Sequence, residues 1–149
     1  MQRLTVVAAA LAALTVPLFA AEDPIAARQA LMSNNGAAAA VAGGMMKGEI
    51  PYVPAVGKAV LASFAATGMT YGDFFPEGSS DPARSKAAEN IWSDRAGFDA
   101  ALGKFRTAAL AAVEASGREG PADLAAFQAA AGPVMGECRA CHEAYQIPD

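Results

Sequence analysis

The stretch from Pro121 to Tyr145 reads PADLAAFQAAAGPVMGECRACHEAY. It is rich in alanine, the strongest helix former, and has no run in which apolar and polar residues alternate as in a half-buried strand. Leu124, Phe127, Ala131, Met135, Cys138 and His142 recur at steps of three and four. On a helix they fall on nearly one line, facing whatever packs against it. Pro133 interrupts the run, and its missing amide donor is expected to kink the helix or force a local adjustment ahead of the first cysteine.

The same grammar extends towards the N-terminus. About a quarter of the residues after Ala20 are alanine. Glycine and proline breakers divide the chain into four helical pieces: Pro24 to about Lys47, Pro54 to about Gly68, about Asp94 to Ala115, and Pro121 to about Tyr145. Asp23 is a candidate N-cap for the first, with Pro24 at the first helical position, where a missing N–H is harmless. Ile25, Met32, Gly36 and Ala39 share a face of that helix. Val56, Val60 and Phe64 do so on the second, and Phe98, Leu102, Phe105, Ala109 and Val113 on the third. The expected fold is all-α, an antiparallel four-helix bundle. Between Thr70 and Asn90 the glycine, serine and proline content predicts a long connection with a short helical turn near Ser85 to Asn90, pinned to the bundle by Phe74 and Phe75. So many alanines leave the middle thin unless a large, flat apolar group fills it.

Composition narrows the functions. The chain has 149 residues, 54% hydrophobic and 17% charged, which suits one ordinary domain and excludes a disordered polyelectrolyte. Eleven basic against 15 acidic side chains give a net charge of minus 4, with no basic excess to release counterions, so no nucleic acid partner is expected. Two cysteines and one histidine exclude a multi-bridge disulfide scaffold and cannot by themselves complete a four-ligand zinc site.

Met1-Gln2-Arg3 is a short positive start, and Leu4 to Ala20 is almost wholly apolar before Glu22-Asp23. This predicts a signal peptide over residues 1–20, cleaved between Ala20 and Ala21, because the run falls short of the roughly 20 residues a spanning helix needs. Cleavage leaves 129 residues and removes one basic side chain, Arg3, so ten basic and 15 acidic groups give a balance of minus 5. The expected organisation is a signal peptide and then one bundle domain over 21–149, exported to the periplasm of a Gram-negative bacterium with no membrane attachment after cleavage.

Cys138-Arg139-Ala140-Cys141-His142 is a C-x-x-C-H sequence, the attachment signature of haem c. On a helix Cys138 and His142 lie one turn apart with Cys141 close by. Two thiols can then form thioethers with the haem rim while the imidazole ligates the iron from the proximal side. A dithiol redox site normally accompanies a βαβ pattern, which is absent here. A structural disulfide would close too short a loop to contribute much. One haem c with its iron, on the C-terminal helix, is therefore the expected cofactor.

A histidine-ligated iron has a second axial position. Met1 leaves with the signal peptide, Met135 sits on the proximal helix, Met45 and Met46 lie at the expected frayed end of the first helix, and Met69 lies in a loop. Met32 is well inside a helix. Spacing alone leaves it open between ligation and packing, the commoner role of a methionine on an apolar face.

A C-terminal C-x-x-C-H on the last of four helices resembles the cytochrome c′ family, the class II c-type cytochromes. Arg28-Gln29, Lys47-Gly48-Glu49-Ile50-Pro51-Tyr52, Ile91-Trp92-Ser93-Asp94 and Cys138 to Tyr145 resemble that family's landmarks in order and spacing. The resemblance implies that the residue four after the helix-one arginine, Met32, faces the distal side of the iron. It further implies that Arg28 approaches a haem propionate. A methionine at this position is similar to the low-spin cytochrome c-556 and c-554 subgroup, where leucine is usual in high-spin members. Many members carry Arg or Lys after the position of Tyr145. Gln146 stands here, so a proximal gas site or basic docking patch is not carried over. Tyr145 and Trp92 are read as packing residues.

Two functions follow. The first is a periplasmic electron carrier with six-coordinate low-spin iron between His142 and Met32, exchanging electrons with redox partner proteins. The alternative is a cytochrome c′-like protein that binds nitric oxide or carbon monoxide at the distal face. An enzyme lacks support because no spare histidine or paired carboxylates remain to act as acid and base. Pairing through the first two helices, frequent in the family, makes a homodimer an implied option.

Overall fold

The computed structural model describes residues 23–148. The expected signal peptide lies outside the described residues, and no helix among them is long and apolar enough to cross a membrane. The architecture is α-helical throughout: α1 (Pro24–Lys47), α2 (Pro54–Thr70), a 3-10 turn (Tyr71–Phe74), a short α3 (Asn90–Ser93), α4 (Arg95–Ser116) and α5 (Leu124–Tyr145). The four long helices are the four expected ones. The one isolated bridge recorded among the described residues pairs Ala87 with Gln146.

Local chemistry sets the ends. The Asp23 carboxylate accepts from the amides of Ile25 (3.0 Å) and Ala26 (3.4 Å) ahead of Pro24, as expected of this cap. Gly48 stops α1 in the left-handed conformation (φ 74°), and its amide donates to Met45 at 3.1 Å. Three expected boundaries shift. Gly68 does not end α2, because it serves close packing: a Cβ there would lie 3.1 Å from the Arg106 Cα of α4. The helical turn in the connection comes later than expected, at Asn90–Ser93. Finally, α5 starts at Leu124 because Asp123 caps the Ala126 amide at 2.8 Å. Pro121 stays buried in the preceding turn, where its carbonyl accepts from the Tyr52 hydroxyl at 2.5 Å. Pro133 lies within α5 on its exposed side, and the helix continues past it.

Packing follows the stripes with two corrections. Val56 is exposed, and Gly57 takes the inward place on α2 because its missing side chain lets Tyr52 and Phe127 close in. Met45, expected at a frayed end, is fully buried in the main core with Leu61, Phe64, Phe105, Phe127 and Val134. A second, smaller core of Phe75, Ile91 and Phe98 gathers Tyr71, Trp92 and Tyr145, with Phe75 edge-on to Phe98 at 4.8 Å. Phe75 thus pins the connection as expected. Phe74 is only half-buried and contributes chiefly its backbone carbonyl.

Around the bundle α4 packs closely against α2 and α5, and α1 against α2, while α1 and α5 approach each other sparingly. The bundle is therefore loosely packed along the seam between α1 and α5.

Candidate functional site

That seam opens into a cavity of about 470 Å³. Alanine and glycine make the room: Gly36 and Ala39 line it from α1, and a Cβ built on Gly36 would meet nothing within 4 Å. Phe64, Phe98, Leu102 and Phe105 supply apolar walls from α2 and α4. The volume falls within the roughly 300–1,000 Å³ of pockets for small molecules and cofactors.

All five residues singled out in the sequence line this one cavity: Arg28 and Met32 from α1, and Cys138, Cys141 and His142 from α5. The helical period accounts for both sets. Arg28 and Met32 are one turn apart, as are Cys138 and His142. Met32 is half-buried and His142 exposed, as befits side chains on an open cavity.

The two thiols are free of each other and half-buried. Burial pushes the Cys138 thiol up, and burial, then the neighbouring Cys138 and Glu137, push the Cys141 thiol up. A dithiol redox centre requires the opposite, a pKa lowered by positive surroundings, so the environment disfavours that alternative. Tyr71 also lines the cavity, and burial pushes its hydroxyl up to about 12. It is a neutral phenol at physiological pH.

Arg28 is 2% exposed. Its Nη1 donates to the Phe74 carbonyl and the Ser79 hydroxyl, both at 3.2 Å, and its Nη2 donates to the Ser79 carbonyl at 2.8 Å. The guanidinium lies over the rings of Phe75 (4.9 Å) and Trp92 (5.6 Å). Its Nε is buried without a hydrogen-bond partner, which is costly unless something completes it. A buried, unpaired N–H beside a cofactor-sized cavity fits a ligand with an acidic edge. Apolar walls and sulfur and imidazole donors fit a flat iron tetrapyrrole.

Sequence reasoning missed Asn35. It lies three residues beyond Met32, lines the cavity, and accepts from the Thr67 hydroxyl at 3.1 Å. Its helical register with Met32 was the available signal. Tyr71 sits in the 3-10 turn and Ser79 in the irregular part of the connection, and neither carried a periodic signal.

A four-helix bundle with a C-x-x-C-H wall on such a cavity defines a class, the helical-bundle c-type haem proteins. The Cytochrome C′ family model matches residues 23–146. Cytochrome c′ of Rhodopseudomonas palustris is 33% identical over 125 residues, spanning 83% of this chain and 82% of its own. Cytochrome c-556 of Agrobacterium tumefaciens is 36% identical over 126 residues, spanning 81% of this chain and 92% of its own. The solved structure of R. palustris cytochrome c′ superposes with a TM-score of 0.77 at 31% identity, covering 87% of this chain and 99% of that one. The chain belongs to the cytochrome c′ family. It binds haem c with iron, and it is an electron-carrying or gas-binding cytochrome.

Proposed function

We propose that this protein is an electron carrier whose iron is held by His142 on the proximal side and Met32 on the distal side. The observation that carries the reading is that Met32 lines the same cavity as Cys138, Cys141 and His142. Haem c, when bound, supplies an iron that gains and loses one electron.

The chain's own residues do the rest. Cys138 and Cys141 would fasten the rim through thioethers, and His142, one turn beyond Cys138, would hold the metal through its imidazole. Met32 brings a soft thioether that suits haem iron and leaves no open site for a substrate. Ligands that stay in place through the redox change keep reorganisation small. The Arg28 Nε–H, buried and without a partner, is available to a propionate oxygen. Phe64, Phe98, Leu102 and Phe105 would give the group apolar surroundings on this side, and apolar surroundings and methionine ligation both raise the reduction potential.

The reading includes removal of residues 1–20 on export, placing the bundle in the periplasm, where it would meet redox partner proteins. An acidic balance of minus 5 after cleavage favours a partner with a basic docking face.

Carbon monoxide added to the reduced protein at neutral pH tests the assignment. Slow or absent binding is the expected result. Rapid, stoichiometric binding would instead support the gas-binding function.

A further inference from the structure

The connection 71–89 is tied on both sides. On the α1 side, Arg28 holds the Phe74 carbonyl together with the hydroxyl and carbonyl of Ser79. The Ser79 hydroxyl in turn donates to the Pro76 carbonyl at 2.8 Å. Gln29 donates to the Arg84 carbonyl at 2.6 Å, and Arg84 pairs with Asp23. On the α5 side, the Ala88 amide donates to the Tyr145 carbonyl at 3.1 Å, and the Ile147 amide donates to the Lys86 carbonyl at 2.8 Å. Asn90, at the start of α3, donates to the Ala144 carbonyl at 2.8 Å.

The strap therefore joins the first two turns of α1, directly ahead of Met32, to the last turn of α5, directly after His142. It does so at the seam where those two helices otherwise approach sparingly. Of the attachments to α1, the Arg28 cluster is the buried one: Arg28 is 2% and Ser79 8% exposed, whereas Arg84 and Asp23 are exposed. Buried hydrogen bonds from a charged group are the strong ones, and exposed ion pairs contribute little.

We propose that Arg28 is a positioning residue. By clamping the strap, it keeps the helix that carries Met32 in register with the helix that carries His142, and so sets how readily Met32 gives up the iron. This rests on the His142/Met32 assignment. It is separate from any contact between Arg28 and a propionate, because Ser79 belongs to the clamp and does not line the cavity.

The test uses the haem-loaded protein and compares carbon monoxide association with the reduced state, together with the low-spin fraction of the ferric spectrum. A ligand competing with Met32 sees only the fraction of molecules in which methionine is off, so loosening the clamp raises the apparent rate. Arg28→Leu is expected to speed association about tenfold or more, the scale of a lost charged hydrogen bond. Arg28→Lys, which keeps the charge on a single donor nitrogen in place of the two-nitrogen fork, should recover part of the difference. Ser79→Ala leaves Arg28 in place and removes only the hydroxyl of the clamp, so it should move both readouts in the same direction by a smaller factor. If Arg28→Leu does not fold, Ser79→Ala alone decides.

Unchanged association and spin state in Ser79→Ala overturn the proposal, since Arg28 would then act directly on the haem. So does an Arg28→Leu variant that melts earlier with an unchanged spectrum, a purely structural effect. A wild-type protein that is five-coordinate at rest removes the His142/Met32 assignment and this inference together. A low-spin wild type with insensitive variants removes only the inference.

Discussion

The Thr67 hydroxyl donates to the Asn35 side-chain carbonyl at 3.1 Å, a buried polar link between α2 and α1 with Thr67 1% and Asn35 7% exposed. A buried polar pair is tolerated because each partner satisfies the other. Thr67→Val keeps the shape and removes the donor, leaving the Asn35 carbonyl without its partner. We expect a loss of about 1–3 kcal/mol in urea unfolding, with the α-helical content of the folded state unchanged. A loss within a few tenths of wild type would show that the link is not structural.

A second expectation concerns pH. The hydrogen bond from Arg84 is the largest influence on Asp23 and holds its carboxyl below the usual carboxylate range, with the Ile25 and Ala26 amides adding to the effect. A folded-state pKa below the unfolded one favours folding above the ordinary carboxylate range, and this contribution fades as pH falls through it. Asp23→Asn retains an oxygen for the cap and loses the charge. Its melting temperature should lie below wild type at neutral pH, and the gap should close in acid. The difference should be modest because the pair is exposed. A gap that widened in acid would contradict the sign.

Glycines separate cleanly into necessary and replaceable ones. Gly120 adopts φ 98°, and a Cβ there would run into the Pro54 carbonyl, so Gly120→Ala should cost about 2 kcal/mol or more. Gly103, in the interior of α4, has nothing within 4 Å of a Cβ, so Gly103→Ala should stabilise by about 0.5–1 kcal/mol. Thermal denaturation of the two variants checks both signs.

The helices were legible because their stripes are periodic and their ends are chemically marked. Asp23 and Pro24 announced α1. The motif at Cys138 to His142 was equally plain. Tertiary packing overrode local signals elsewhere. Gly68 looked like a terminator and is a close-packing position, Val56 looked like core and faces solvent, and Met45 looked frayed and is fully buried. The strap was least legible: the partners of Arg28 are two backbone carbonyls and one serine hydroxyl, and these depend on backbone path and leave no trace in side-chain periodicity.

In the proposed carrier, sulfur from Met32 and nitrogen from His142 hold the same iron. An absorption spectrum of the ferric protein at neutral pH, taken beside that of Met32→Ala, tests it most directly. A six-coordinate low-spin spectrum with a sulfur-to-iron charge-transfer band is expected in the wild type, and loss of both in the variant. A five-coordinate high-spin wild type, or a band that survives in Met32→Ala, would contradict it.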